Sequence, residues 1–229
     1  MNFLNIILKN MPNKEEKDNS TSAKNAQSDR MRIFLALDFD YKEDYDNLPN
    51  VYEAIGDTPV TFFLSQTRHP EGHYVFPSNV QIGNHSREHA EWYGTELDYR
   101  IADLMMNHDW IKEKYGVECK VYRSPHLRYL PDTQEEMVKR GYKPEMECVE
   151  CPWCQPLVHD HLKVYFSSHH HFGENKCHRK FEEAFQLICE KGKDFTFFLD
   201  ARHFDTPEKV ERLKHIIKIG NDFGTFALL

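Results

Sequence analysis

Apolar residues fall in short blocks along this chain, separated by polar stretches of a different period. Arg32-Ile33-Phe34-Leu35-Ala36-Leu37-Asp38-Phe39-Asp40 is an almost unbroken apolar run closed by two acids. Such a run predicts a strand buried on both faces, with polar work kept for its C-terminal end. Thr58–Leu64 and Phe195–Asp200 have the same character, and Val80–Asn84 is a shorter version leading into His85. Lys120–Arg123 and Thr225–Leu229 are read as two further strands.

Between these runs the pattern is that of helices. One is predicted over Leu48–Ile55. Thr95 is the expected N-cap of the next, with Asp98 three residues on. That helix places Leu97, Ile101, Leu104, His108, Ile111 and Tyr115 on one face. Pro131 opens another, ending near Gly141, and a further one covers Arg179–Lys191. Pro207 opens the last, which runs to Ile219 and is closed by Gly220. No internal repeat is visible.

Strands alternating with helices predict an α/β fold with a largely parallel sheet. About seven short strands in roughly 200 residues suit a small (β/α) barrel or a doubly wound sheet. Residues 10–30 are Lys, Glu, Asn, Ser and Asp with almost no large apolar side chain. Such a segment cannot bury enough surface to order itself, so residues 1–30 are expected to be a flexible tail ahead of one domain over 31–229.

Composition narrows the function. In 229 residues, 29 Lys and Arg stand against 37 Asp and Glu, a formal charge of −8. That balance argues against nucleic acid or an anionic membrane surface as partner. No apolar run approaches the ~20 residues of a membrane span. Phe3–Leu8 is apolar but lacks a basic leader and a small-residue cleavage site, so a cytoplasmic location with reduced thiols is expected.

In either candidate fold, function gathers at the strands' C-terminal ends. Here those ends carry Asp38 and Asp40, then His85 and His89, then Arg123, then His203. Two imidazoles and one carboxylate hold a divalent metal and leave positions open for water or substrate. A second carboxylate can take a proton from attacking water, and a separate histidine can protonate the leaving group. An arginine beside the base keeps it ionised and in place. The inventory fits hydrolysis of an amide or ester without a covalent enzyme intermediate.

These residues occur in the order of a known family's motifs. The chain resembles the polysaccharide deacetylases, the NodB-like carbohydrate esterases of family 4 type, over most of Arg32–Leu229. Leu37-Asp38-Phe39-Asp40 is similar to their first motif, a pair of aspartates after the first strand. His85-Ser86-Arg87-Glu88-His89 matches the second, His-Ser/Thr-x-x-His, and Arg123-Ser124-Pro125 the third. Leu199-Asp200-Ala201-Arg202-His203 is similar to the last.

The resemblance implies a distorted (β/α) barrel that removes acetyl groups from sugars. It implies one divalent ion, zinc first, with iron, cobalt or nickel as alternatives. Asp40, His85 and His89 would be its ligands. Asp38 would be the base for a metal-bound water, Arg123 its holder and His203 the acid. Tyr41, Pro125, His126 and Trp153 are the candidates to line the substrate groove, with an oligosaccharide or small molecule as substrate. Tyr41 and Leu127 stand where the family often has glycine, and Glu150 with Trp153 match its fourth motif only loosely. Two other readings stay open: a non-catalytic metal or carbohydrate binder on the same fold, and hydrolysis of a non-sugar C–N bond.

The segment from Glu145 to His178 is unlike the common members. Cys148, Cys151 and Cys154, with Cys177 downstream, offer ligands for a second, structural zinc, although unpaired cysteines are the leading reading. His169-His170-His171 is read as a plain histidine run.

Overall fold

A nine-residue strand that carries apolar side chains on both faces must be covered on both sides, and β1 (Met31–Phe39) takes the centre of the sheet. This computed structural model describes residues 30–127, 130–143, 185–186, 189–190, 192 and 194–229. Residues 1–29 of the expected tail, the cysteine-rich segment and most of the helix expected over Arg179–Lys191 lie outside the described residues.

The elements in order are β1, α1 (Lys42–Asp46), α2 (Leu48–Ile55), β2 (Val60–Leu64), β3 (Val80–Asn84) and α3 (Leu97–Tyr115). They continue with α4 (Pro131–Lys139), β4 (Phe195–Asp200), α5 (Pro207–Phe223) and β5 (Gly224–Phe226). The fold is α/β, and every strand pairing among the described residues is parallel, in the order β3-β2-β1-β4. Leu35 pairs with Val60 on one side and Phe197 on the other, whereas β5 pairs only with the start of β1. Five strands are described rather than about seven.

Alternation along β1 divides the interior. Ile33, Leu35, Leu37 and Phe39 join the large core. Ala36 faces the other way, with Phe63 and Val121. On that second face the Arg123 guanidinium lies between the rings of Phe63 and Phe198, at 4.4 Å and 4.3 Å. Gly83 makes this possible, because a Cβ there would stand 2.6 Å from the Phe63 ring. Gly83→Ala is therefore expected to destabilise the fold by about 1–3 kcal/mol through overpacking. Denaturant unfolding checks this, and an unchanged midpoint would mean that Phe63 moves without cost.

Several local expectations are corrected. Lys120–Arg123 forms a single parallel bridge, Tyr122 to Asn84, rather than a named strand. Two backbone bonds hold it: Asn84 donates to the Val121 carbonyl and Arg123 to the Asn84 carbonyl. Thr95 does not cap α3, whose N-cap is Glu96 with no side-chain bond. The Thr95 hydroxyl instead donates to the Trp92 carbonyl at 2.8 Å and closes the preceding turn. Gly220 does not end the last helix, which runs to Phe223. A Cβ at Gly220 would meet Phe226 at 2.7 Å, so the glycine serves close packing against β5. The final strand is correspondingly short, Gly224–Phe226.

The apolar face read for α3 is the face it buries, Ile101, Leu104 and Ile111 included. Three polar residues on α3, Arg100, Asp103 and Asn107, are buried as well. Arg100 tethers α4, donating to Thr133 Oγ1 at 2.8 Å and to Asp132.

Beside α3, His69 packs among Tyr45, Tyr74 and Trp110. Its Nδ1 faces the Pro70 carbonyl at 2.6 Å, so it carries the proton, and Nε2 is left to accept from the Tyr115 hydroxyl at 2.5 Å. Burial lowers its pKa from 6.5 to about 4, against the pull of the Pro70 carbonyl. Below pH 6.5 the unfolded chain takes a proton that the folded one refuses, so this contribution to stability is lost as pH falls toward about 4. His69→Phe is expected to flatten the stability–pH curve in that window. Equal slopes in parent and variant would contradict a neutral, half-buried ring.

Candidate metal centre

The C-terminal ends of β1, β3 and β4 and the bridge at Tyr122 lie side by side, because the strands are parallel and in close register. Asp38 lies on the Ala36 face of β1 and pairs in register with Asp200 at the end of β4. Asp40 follows directly. His85 leaves β3, and its backbone N–H donates to the Leu64 carbonyl at the end of β2.

These side chains converge. The Asp40 carboxylate reaches His85 Nε2 at 3.4 Å with one oxygen and His89 Nε2 at 3.2 Å with the other. Asp38 Oδ2 is 3.3 Å from His85 Nε2, and its Oδ1 accepts from Arg123 Nη1 at 2.9 Å. Ligand atoms of Asp40, His85 and His89 all lie within 4.8 Å of one another. Asp38, His85, His89 and Arg123 are all buried, at 3%, 1%, 7% and 1% exposure, so their charges are felt in a low dielectric.

The donor set fits a divalent cation. His85 Nδ1 lies 2.9 Å from the Arg123 carbonyl, which can only accept, so the proton is on Nδ1. Burial lowers the pKa of His85, which keeps the ring neutral. Its bare Nε2 therefore faces carboxylate oxygens with no proton between them, an arrangement that a shared cation satisfies. Asp40 Oδ1 is buried and has no hydrogen-bond partner among the described residues. Burial pushes Asp40 up, yet His85, His89 and Arg202 pull its pKa down to about 2, so it is ionised and ready to ligate.

Asp38 differs from its neighbour. Burial raises its pKa well above the usual carboxylate value, Arg123 opposes that, and Asp40 and Asp200 add to it. One carboxylate is thus held ionised while the other is made more basic.

Three features were not read from the sequence. Asp200 brings a third carboxylate, with oxygens of Asp38, Asp40 and Asp200 within 4.8 Å of one another. Its register opposite Asp38 was the available signal. Arg202 Nη2 donates to Asp200 Oδ2 at 3.2 Å, and the Arg202 guanidinium lies 4.3 Å over the Tyr41 ring. Asp44, fully buried on α1, accepts N–H bonds from Asp40 at 2.9 Å, Tyr41 at 2.8 Å and Arg202 at 2.5 Å. It ties the end of β1 to the turn after β4, although burial lifts its pKa to about 7 against those bonds. Asp44 stands three residues after the N-cap Tyr41, and its bond to the Tyr41 N–H is the reach-back half of a capping box.

The remaining sequence candidates divide. His203 stands on a short turn, Ala201–His203, with Nδ1 3.6 Å from Asp200 Oδ2. It therefore meets the cluster through Asp200. Tyr41 is about half exposed beneath Arg202. Pro125 is buried, and His126, exposed and at φ 53°, sets its ring 4.6 Å from that of His89. Trp153, Cys148, Cys151, Cys154 and Cys177 lie outside the described residues, as do Glu150 and the histidine run. Among the described residues, Cys119 and Cys189 are buried free thiols, and burial pushes both up to about 12.

A family model described as polysaccharide deacetylase matches residues 27–144. No curated protein sequence matches the chain. Among solved structures, the chain is similar to a chitin deacetylase from the fungal pathogen Colletotrichum lindemuthianum, with 14% identity and a TM-score of 0.59 over 88% of this chain and 86% of that one. A family 4 carbohydrate esterase from Streptomyces lividans, solved with acetate, is 11% identical with a TM-score of 0.53, over 89% and 93%. A CE4 family pseudoenzyme from Bacillus anthracis is 12% identical with a TM-score of 0.59, over 89% of this chain and 65% of that one.

Proposed function

The chain belongs to the polysaccharide deacetylase family, and from that premise we propose that it is a metal-dependent hydrolase removing an acetyl group from an N-acetylated sugar or a similar amide. The observation that carries the proposal is the meeting of Asp40, His85 and His89 around one point, with Asp38 Oδ2 3.3 Å from His85 Nε2.

Asp40, His85 and His89 would hold one divalent ion, zinc first. When bound, such an ion supplies Lewis acidity that polarises the acyl carbonyl and lowers the pKa of water. Asp38 takes the proton of the attacking water at Oδ2, since Oδ1 is engaged by Arg123. Arg123 is itself fixed between Phe63 and Phe198, so the base cannot swing away. His203 gives a proton to the departing nitrogen, and Asp200, 3.6 Å from its Nδ1, orients the ring. The C–N bond breaks, acetate leaves, and a free amine remains. Tyr41 and His126 form the rim on which a sugar ring could stack.

The test is to load the purified protein with zinc or cobalt and offer N-acetylglucosamine oligomers and a panel of acetylated amides. Acetate release that depends on the ion supports the proposal. An ion bound with no acetate from any substrate would instead indicate a binding protein. Cleavage without acetate, seen by mass spectrometry, would indicate a different C–N bond.

A further inference from the structure

The turn Ala201–His203 is held from a distant part of the chain. The Ala201 and Phe204 side chains are fully buried in the core and anchor its two ends. Side-chain packing does not address the peptide groups between those anchors, and polar residues of the α1–α2 segment do. Asp44 Oδ1 accepts the Arg202 N–H at 2.5 Å. Asn47 Nδ2 donates to the Arg202 carbonyl at 3.0 Å, and Asn50 Nδ2 to the Phe204 carbonyl at 2.7 Å. The two peptides leading into His203 are therefore both bonded, and so is the carbonyl of the residue after it.

These side chains recur at every third position, Asp44-x-x-Asn47-x-x-Asn50. Asn47 closes α1 and opens α2 with φ −90° and ψ 3°, so the chain barely leaves its helical path and residues three apart share a face. That face lies against the turn. The same segment also reaches the ion's pocket, because Asp44 Oδ2 accepts the N–H of Asp40 at 2.9 Å and that of Tyr41 at 2.8 Å. One short stretch thus spans from the ligand Asp40 to the turn that carries His203.

We propose that Asn47 and Asn50 are positioning residues: they complete the clamp that Asp44 begins, and fix where His203 stands relative to the Asp40–His85–His89 pocket. They thereby set how well His203 delivers its proton to the departing nitrogen. The inference rests on the functional reading above, and both residues act through backbone carbonyls rather than on ion or substrate. Asn47 and Asn50 are only partly buried, so water can take up the carbonyls that their loss would free. Asn47→Ala and Asn50→Ala should therefore release the turn without unfolding the protein.

The leaving group separates this role from others. An amide nitrogen must be protonated as it departs, whereas a nitrophenolate departs unaided. A displaced acid slows the first reaction and spares the second, and a damaged ion pocket slows both. The experiment compares zinc-loaded parent, Asn47→Ala, Asn50→Ala, the double variant and His203→Ala. It measures acetate release from N-acetylglucosamine oligomers, zinc-dependent hydrolysis of 4-nitrophenyl acetate, and the Zn²⁺ dissociation constant by chelator competition.

The expected result is a kcat on the amide about 10-fold lower in each single asparagine variant and about 100-fold lower in the double, the scale of a small misplacement of a reacting group. KM, Zn²⁺ affinity and ester hydrolysis should stay at parent values, and His203→Ala should show the same split between amide and ester. An unchanged amide kcat in the double variant would overturn the inference. So would an equal loss on both substrates with a lower melting temperature, the signature of a merely structural role. A His203→Ala variant without the split would place the acid elsewhere and overturn the inference, leaving the ion-dependent hydrolase intact. A parent that binds no ion or releases no acetate would overturn the functional reading, and this inference with it.

Discussion

Asp38→Asn is expected to keep its ion and lose turnover by a factor of about 10²–10⁴, the range a positioned general base contributes. The amide oxygen of Asn can still accept from Arg123 Nη1, now 2.9 Å from Asp38 Oδ1. The ligand atoms of Asp40, His85 and His89 are untouched. What disappears is the second oxygen, 3.3 Å from His85 Nε2, whose basicity burial raises. The checks are acetate release under saturating substrate and metal content of the same sample. Full activity in Asp38→Asn would move the base elsewhere. Loss of the ion together with the activity would make Asp38 a ligand.

His85→Ala and His89→Ala form the second large effect. Each removes one of the three residues whose ligand atoms lie within 4.8 Å of one another. Each is expected to lower ion occupancy to background at micromolar zinc and to abolish acetate release. The two should differ in stability. His85 is fully buried against the Phe63 ring, with its Nδ1 on the Arg123 carbonyl, so Ala there leaves a cavity and an unsatisfied acceptor. A cost of about 2–4 kcal/mol follows from those two losses. His89 is slightly more open and sits on a loop, so its loss should be felt mainly in binding. Equal ion content in parent and both variants would remove the proposed centre.

The residues of this centre were legible because each stands at the end of a strand that its own composition announces. β3 and β4 occupy the bounds read from their apolar runs, and so does α2. Helix α1 was not legible, since Lys42–Asp46 is five mostly polar residues with no apolar period, held by the Asp44 cap. The buried polar residues of α3 escaped for a related reason. Apolar periodicity assigns Arg100, Asp103 and Asn107 to solvent, and only the tertiary partners Thr133, Glu88 and Asn84 bring them inside. Asp200 read as the polar end of a strand, and the registration of β4 on β1 is what places it beside Asp38. Gly220 read as a helix stop because the tight contact with Phe226 lies outside any local pattern.

The most direct measurement is an anomalous difference map at the zinc edge from crystals of the zinc-loaded protein. The predicted result is one strong peak about 2.0–2.2 Å from a carboxylate oxygen of Asp40 and the Nε2 atoms of His85 and His89, with Asp38 beside it and still on Arg123. A peak held by other residues, or none at full loading, would contradict the assignment of this pocket as the centre of a hydrolase.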